Sequence, residues 1–129
     1  EDAHTLVERV GLPGPLAPDR DFYRDDVIDE TQSGLTQVAA ELGEEIMRSF
    51  DYYQAQEHAA PVSQLILSGR GALVRNLDAH MADRLGMPVA LANPLAHIAE
   101  NSSSVSDAAL AAMAPSLSVA VGLVLPERD

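Results

Sequence analysis

The chain contains no cysteine. Disulfides, thiol catalysis and thiolate metal sites are therefore excluded, and a reducing interior is permitted. Lysine is also absent, since all 8 basic residues are arginine. That removes the usual ammonium groups for phosphate contact or Schiff-base chemistry. Any anion would have to be met by arginine or by backbone amides. Positive charge is scarce throughout: 20 acidic residues face those 8 arginines, for a formal charge of -12. Such a surface repels nucleic-acid phosphates and anionic lipid heads, so nucleic acid is not an expected partner. No signal peptide is expected ahead of Glu1. No apolar run is expected to approach the roughly 18 residues that a membrane span needs, so direct membrane insertion is not expected. Internal repeats and low-complexity tracts are lacking too.

What is present is the composition of a folding chain: 47% hydrophobic and 22% charged over 129 residues. That length encloses one hydrophobic core, and two ordinary domains are not expected. Residues 1–129 are therefore read as a single domain or a fragment of one. Ala3, Leu6, Val7 and Val10 recur at helical spacing, with Gly11 placed as a left-handed cap. The chain is expected to begin inside an element, as a fragment would. Residues 12–32 follow with prolines, a glycine and then dense acidic residues, and read as an acidic, Pro-rich surface loop.

From residue 33 to about 58, Leu35, Val38, Leu42, Ile46, Phe50 and Tyr53 recur every three or four positions. This predicts a long amphipathic helix, capped by Ser33, with His58 near its carbonyl end and Pro61 forbidding continuation. Residues 62–67 read as a strand, a glycine turn follows, and Leu73, Leu77, Met81 and Leu85 mark a helix ending at Gly86. Residues 88–91 read as a second strand. Strand, helix, strand is a βαβ unit with parallel strands, so the fold class is α/β. After a polar loop, Ser104 or Ser106 can cap a short helix through Met113, and Pro115 restarts a helix at its first turn. The final run, residues 116–125, is apolar on every side, which predicts a helix buried between layers.

The glycine turn, Ser68, Gly69, Arg70 and Gly71, is the best candidate site by position. It follows a parallel strand and precedes a helix, where free amides and the helix dipole favour an anion or a polar ring edge. Its spacing matches neither the Walker pattern nor GxGxxG, so by spacing alone a bare structural turn is favoured. Asp19, Asp21, Asp25 and Asp26 fail the EF-hand spacing and read as a solvated loop. His4, His58, His80 and His97 are scattered without metal-ligand spacing, and Ser68 sits outside any GxSxG elbow, so no metal and no hydrolytic triad is assigned. Tyr52 and Tyr53 could stack on a base. Tyr53 continues the apolar stripe of its helix, which favours core packing with a solvent-reaching hydroxyl.

Taken in order, four features resemble the carboxyl-terminal portion of the PilM family of type IV pilus assembly. They are the helix ending in Arg48-Ser49-Phe50-Asp51-Tyr52-Tyr53, the glycine turn, Leu85-Gly86-Met87-Pro88-Val89 with Asn93-Pro94, and Pro115-Ser116-Leu117. The resemblance implies a partial actin-like ATPase second lobe, with a βαβ unit and packed helices. It implies ATP and magnesium in the parent protein, and an adenosine loop at Ser68, Gly69, Arg70 and Gly71. Members of the family typically carry Ser-Gly-Gly-Gly there, so Arg70 replaces the middle glycine. It would stack on adenine, reach the phosphates or crowd the ring out. Many members also carry Ala-Glu-x-x-Lys in the first helix, where this chain has Ala3, His4 and Val7.

By the same resemblance the phosphate-binding and magnesium-organising segments lie upstream of Glu1. The isolated chain is therefore not expected to hydrolyse ATP or to bind it tightly. The cytoplasmic tail of PilN would be received by the missing first lobe, alongside other inner-membrane platform proteins. The implied location is cytoplasmic, peripheral to the inner membrane through partners. Two functions compete: nucleotide-dependent closure read by the pilus platform, and a non-catalytic actin-like scaffold that binds no nucleotide.

Overall fold

The computed structural model describes residues 2–96, 98 and 100–124. Helix α1, Ala3–Val10, starts where the Asp2 carboxylate accepts from the His4 amide at 3.2 Å, and ends with the Gly11 amide on the Val7 carbonyl. Val10 is buried. Gly11 has φ 65° but ψ -174°, a positive-φ extended conformation rather than the left-handed helical cap expected. Glycine is required there on a second ground. A Cβ at Gly11 would stand 2.4 Å from the Arg75 Cβ and 2.8 Å from the Arg75 carbonyl oxygen. That close approach lets the Leu12 amide donate to the Arg75 carbonyl at 3.0 Å.

The segment expected to be loop through residue 32 is only half so. Helix α2 is Asp25–Gln54, 30 residues long. It begins eight residues before Ser33, which is exposed in mid-helix and caps nothing. Asp25 and Asp26 sit in its first turn, where the positive end of the helix dipole favours carboxylates. Ile28 is buried and extends the apolar stripe toward the start. The acidic residues that suggested a loop are the polar face and amino-terminal turn of a helix. At the other end α2 stops at Gln54, four residues short of His58, which takes φ 66°. Tyr53 does not pack in the core. It is exposed, and its hydroxyl accepts from the Ala60 amide at 3.2 Å.

Strands β1, Leu65–Leu67, and β2, Val89–Leu91, pair in parallel with Leu65 opposite Val89. Between them lie a 3-10 turn, Arg70–Leu73, and helix α3, Leu77–Leu85. Gly86 ends α3 in the left-handed region, its amide on the Ala82 carbonyl. The parallel βαβ unit is as the sequence predicts. The helix after the glycine turn, however, does not run from residue 73. Asn76 takes φ 64° and breaks helical continuity. The core gathers Leu12, Ala39 and Met81, with Leu35, Ile46, Leu65, Leu77, Leu85 and Val89 packed on it. Loop, α2, α3 and both strands therefore share one apolar centre.

Helix α4, Asp107–Met113, is capped by Ser106, whose hydroxyl accepts from the Ala109 amide at 3.2 Å. A 3-10 turn, Ala114–Leu117, carries Pro115 in its first positions, and helix α5, Ser118–Val124, follows. Ala114 and Pro115 are buried, but Val119, Leu123 and Val124 are 76%, 80% and 78% exposed. The expectation of a helix buried between layers is corrected: the run packs at its middle, and no second layer covers its outer side. Leu125, the last residue of that run, lies outside the described residues.

The run also corrects the expectation about membrane spans. Asp107–Val124 is 18 residues with mean hydropathy 1.6 and is 11% buried, so by length and composition it is long and apolar enough to cross a membrane. Those two properties carry little weight here. The stretch is two seven-residue α-helices broken by a 3-10 turn, and Pro115 at the break has no amide to donate.

Candidate functional site

The glycine turn emerges from the carboxyl end of β1. Gly69 has φ 85° and ψ 177°, a region that side chains with a Cβ rarely enter. Its amide donates to the Pro115 carbonyl at 2.8 Å, and the Ser68 hydroxyl donates to the Ser118 Oγ at 2.8 Å. The turn is thus tied to the junction between α4 and α5. Ala72 is buried and anchors its far side.

Two parts of the anion-cradle expectation change. The element after the turn is a four-residue 3-10 turn rather than a helix, so no long dipole is aimed at Ser68 or Gly69. The Gly69 amide is also already committed to Pro115. What the turn does present is bare backbone and one cation. A Cβ added at Gly69 or Gly71 would meet no atom within 4 Å, so the main chain is open to close approach at both positions.

Arg70 supplies the cation. Its Nε donates to Glu8 Oε1 at 2.9 Å, with the two side chains 54% and 26% exposed. The pair joins the turn to α1 across 62 residues of sequence. The hydrogen bond to Glu8, then the attraction of its charge and more weakly that of Asp2, raise the Arg70 pKa above its ordinary value. Arg70 therefore stays charged at any working pH. Neither Glu8 nor Pro115 nor Ser118 stood out as a site residue in the sequence. Glu8 sits among the polar positions of a short helix, and only its contact with Arg70 distinguishes it.

The remaining candidates disperse. Among the described residues no group of three His, Asp or Glu side chains comes together to hold a metal ion. His97 lies outside the described residues. Tyr52 stands exposed near the far end of α2. Beside the glycine turn, α2 and β1 enclose an apolar groove of about 450 Å³, walled by Leu35, Val38, Leu42, Ile46 and Ile66 and reaching Ser68 and Gly71. A second cavity, about 560 Å³, lies between the loop after β2 and α4, lined by Leu95, Asn101, Ser103, Asp107 and Leu110 among others.

A small parallel sheet crossed over by α3, backed by a long helix and closed by a glycine turn after its first strand, is the architecture of a partial α/β subdomain of the actin-like kind. Residues 28–128 match the family described as Type IV pilus assembly protein PilM, and the chain belongs to that family. The match takes in α2, the glycine turn and the βαβ unit, while α1 and Glu8 precede it. The residues present suit the adenosine part of ATP, because Gly69 and Gly71 leave room for a ring against the main chain. They do not suit magnesium, for which the described residues bring no carboxylate cluster together.

Proposed function

We propose that this chain is the carboxyl-terminal subdomain of a PilM-like, actin-like ATPase. It supplies the adenosine side of a nucleotide cleft and couples nucleotide occupancy to the inner-membrane pilus platform. The observation that carries the reading is the glycine turn of Ser68, Gly69, Arg70 and Gly71. It lies at the carboxyl end of a strand in a parallel pair, where α/β folds bind their ligands. Gly69 and Gly71 have open space beside their backbones, and Arg70 links the turn to α1. Phosphates, magnesium and any hydrolytic water belong on this reading to segments that precede Glu1. Nucleotide would bridge two lobes and favour one relative orientation, which the platform reads as a change in affinity. The PilN tail docks on the other lobe, and the protein works in the cytoplasm, held at the inner membrane by its partners.

The test is thermal unfolding of the full-length protein with and without ATP and magnesium. Ligand that binds only the folded state at a hundredfold its Kd adds about 2.7 kcal/mol, which shifts the midpoint upward by several degrees. An unchanged midpoint at millimolar ATP defeats the nucleotide role.

One observation favours the second reading, a scaffold that uses no nucleotide. The Ser68 hydroxyl and the Gly69 amide are both engaged by the segment around Pro115 and Ser118. On this reading the turn is a clamp between elements, and platform binding persists when ATP has no effect.

A further inference from the structure

Arg70 makes a single polar contact. Its Nε–H donates to Glu8, and its two terminal nitrogens form no hydrogen bond or ion pair with any described residue. That donor lies in the guanidinium plane, so the bond to Glu8 fixes the orientation of the plane without covering either face. The side chain is half exposed. The residues on either side of it are glycines whose surroundings are empty to 4 Å, so a flat ring has room beside the guanidinium and against the main chain.

Electrostatics separates two kinds of ligand group at this position. Glu8 balances the charge of Arg70, Asp2 adds a second carboxylate to its field, and the chain carries a net charge of -12. A phosphate brought to the free nitrogens would meet those carboxylates. An uncharged ring brought to a face would not, and a guanidinium face attracts an aromatic ring.

We infer that Arg70 is a stacking platform for the purine ring of a nucleotide, and that Glu8 is the positioning residue that holds the platform through Nε. The inference rests on the nucleotide reading above and names the ring, rather than the phosphates, as what this turn recognises. Glu8 acts only through Arg70.

The experiment is equilibrium titration of the full-length protein with ATP, with adenosine and with tripolyphosphate, for wild type, R70A, E8A and E8Q. R70A and E8A are expected to weaken ATP and adenosine by roughly threefold to tenfold while leaving tripolyphosphate unchanged. E8Q is expected to stay within about twofold of wild type, because the glutamine amide oxygen still accepts from Nε. Unfolding midpoints of the three variants check that the fold is intact, and the split between ATP and tripolyphosphate is one that a purely structural role of Glu8 would not produce. Loss of tripolyphosphate binding in R70A to the same extent as ATP overturns the stacking role in favour of a phosphate contact. Wild-type ATP affinity in both R70A and E8A overturns the inference and leaves the nucleotide reading standing. A wild-type protein that binds none of the three ligands overturns both.

Discussion

Asn76 holds Leu12 in the core: its side-chain Nδ2 donates to the Leu12 carbonyl at 2.6 Å across 64 residues of sequence. The same nitrogen donates to the Leu16 carbonyl at 2.8 Å, and Oδ1 accepts from the Leu16 amide at 3.0 Å. One buried side chain therefore satisfies three backbone groups of a proline-rich loop that has no secondary structure of its own. Its φ of 64° aims the amide at that loop, and asparagine tolerates this region better than most residues.

Replacing Asn76 by alanine leaves those groups unsatisfied and keeps a Cβ at positive φ. The expected loss is about 2–4 kcal/mol, seen as a lower urea midpoint at unchanged slope. Asn76→Gly retains the backbone conformation and should lose less. If the two variants unfold together, backbone strain is not part of the cost.

Two glycines should respond in opposite directions to the same substitution. Gly11→Ala adds a Cβ at φ 65° into contact with the Arg75 Cβ and carbonyl oxygen, for an expected loss of about 2–4 kcal/mol. Gly34→Ala lies within α2 with nothing within 4 Å, and should stabilise by about 0.5–1 kcal/mol. Thermal unfolding of the pair checks both signs. A stabilising Gly11→Ala would mean that the Arg75 contact does not form.

Met81 is fully buried where α3 meets the core around Leu12 and Ala39. Met81→Ala removes that packing and should cost about 2–5 kcal/mol. Met81→Leu conserves most of the volume and should cost less than about 1.5 kcal/mol. Chemical denaturation of both variants separates lost volume from lost shape.

Val119, Leu123 and Val124 form an exposed apolar face on α5. Replacing all three by serine should change the unfolding free energy by no more than about 0.5 kcal/mol per site and reduce the binding of a hydrophobic dye. A loss of several kcal/mol would show that the face is packed in solution.

How much was legible in the sequence followed from how local each signal was. The parallel βαβ unit could be read because short apolar runs, a glycine turn and helical spacing each report on their own few residues. Ser106 was legible as a cap and Gly86 as a left-handed stop for the same reason. The start of α2 was not. Asp25 and Asp26 look like loop composition until Ile28 is seen in the core, and only then does the acidic run become the first turn of a helix. Of the candidate site, Ser68, Gly69, Arg70 and Gly71 were found by their place after a strand, while Glu8, Pro115 and Ser118 were not. Each of these three reaches the turn from an element far away in sequence, and no pattern within a window records that.

By itself the sequence determined the class of the fold and where the chain turns, because helix spacing, strand runs and glycine conformations are properties of neighbouring residues. Tertiary structure alone decided which apolar faces are covered, leaving α5 exposed where its composition suggested burial. It alone brought Glu8 to Arg70 and Asn76 to Leu12. The physical reason is common to all three: burial and long-range hydrogen bonds depend on what else occupies the space, and a one-dimensional pattern does not carry that information.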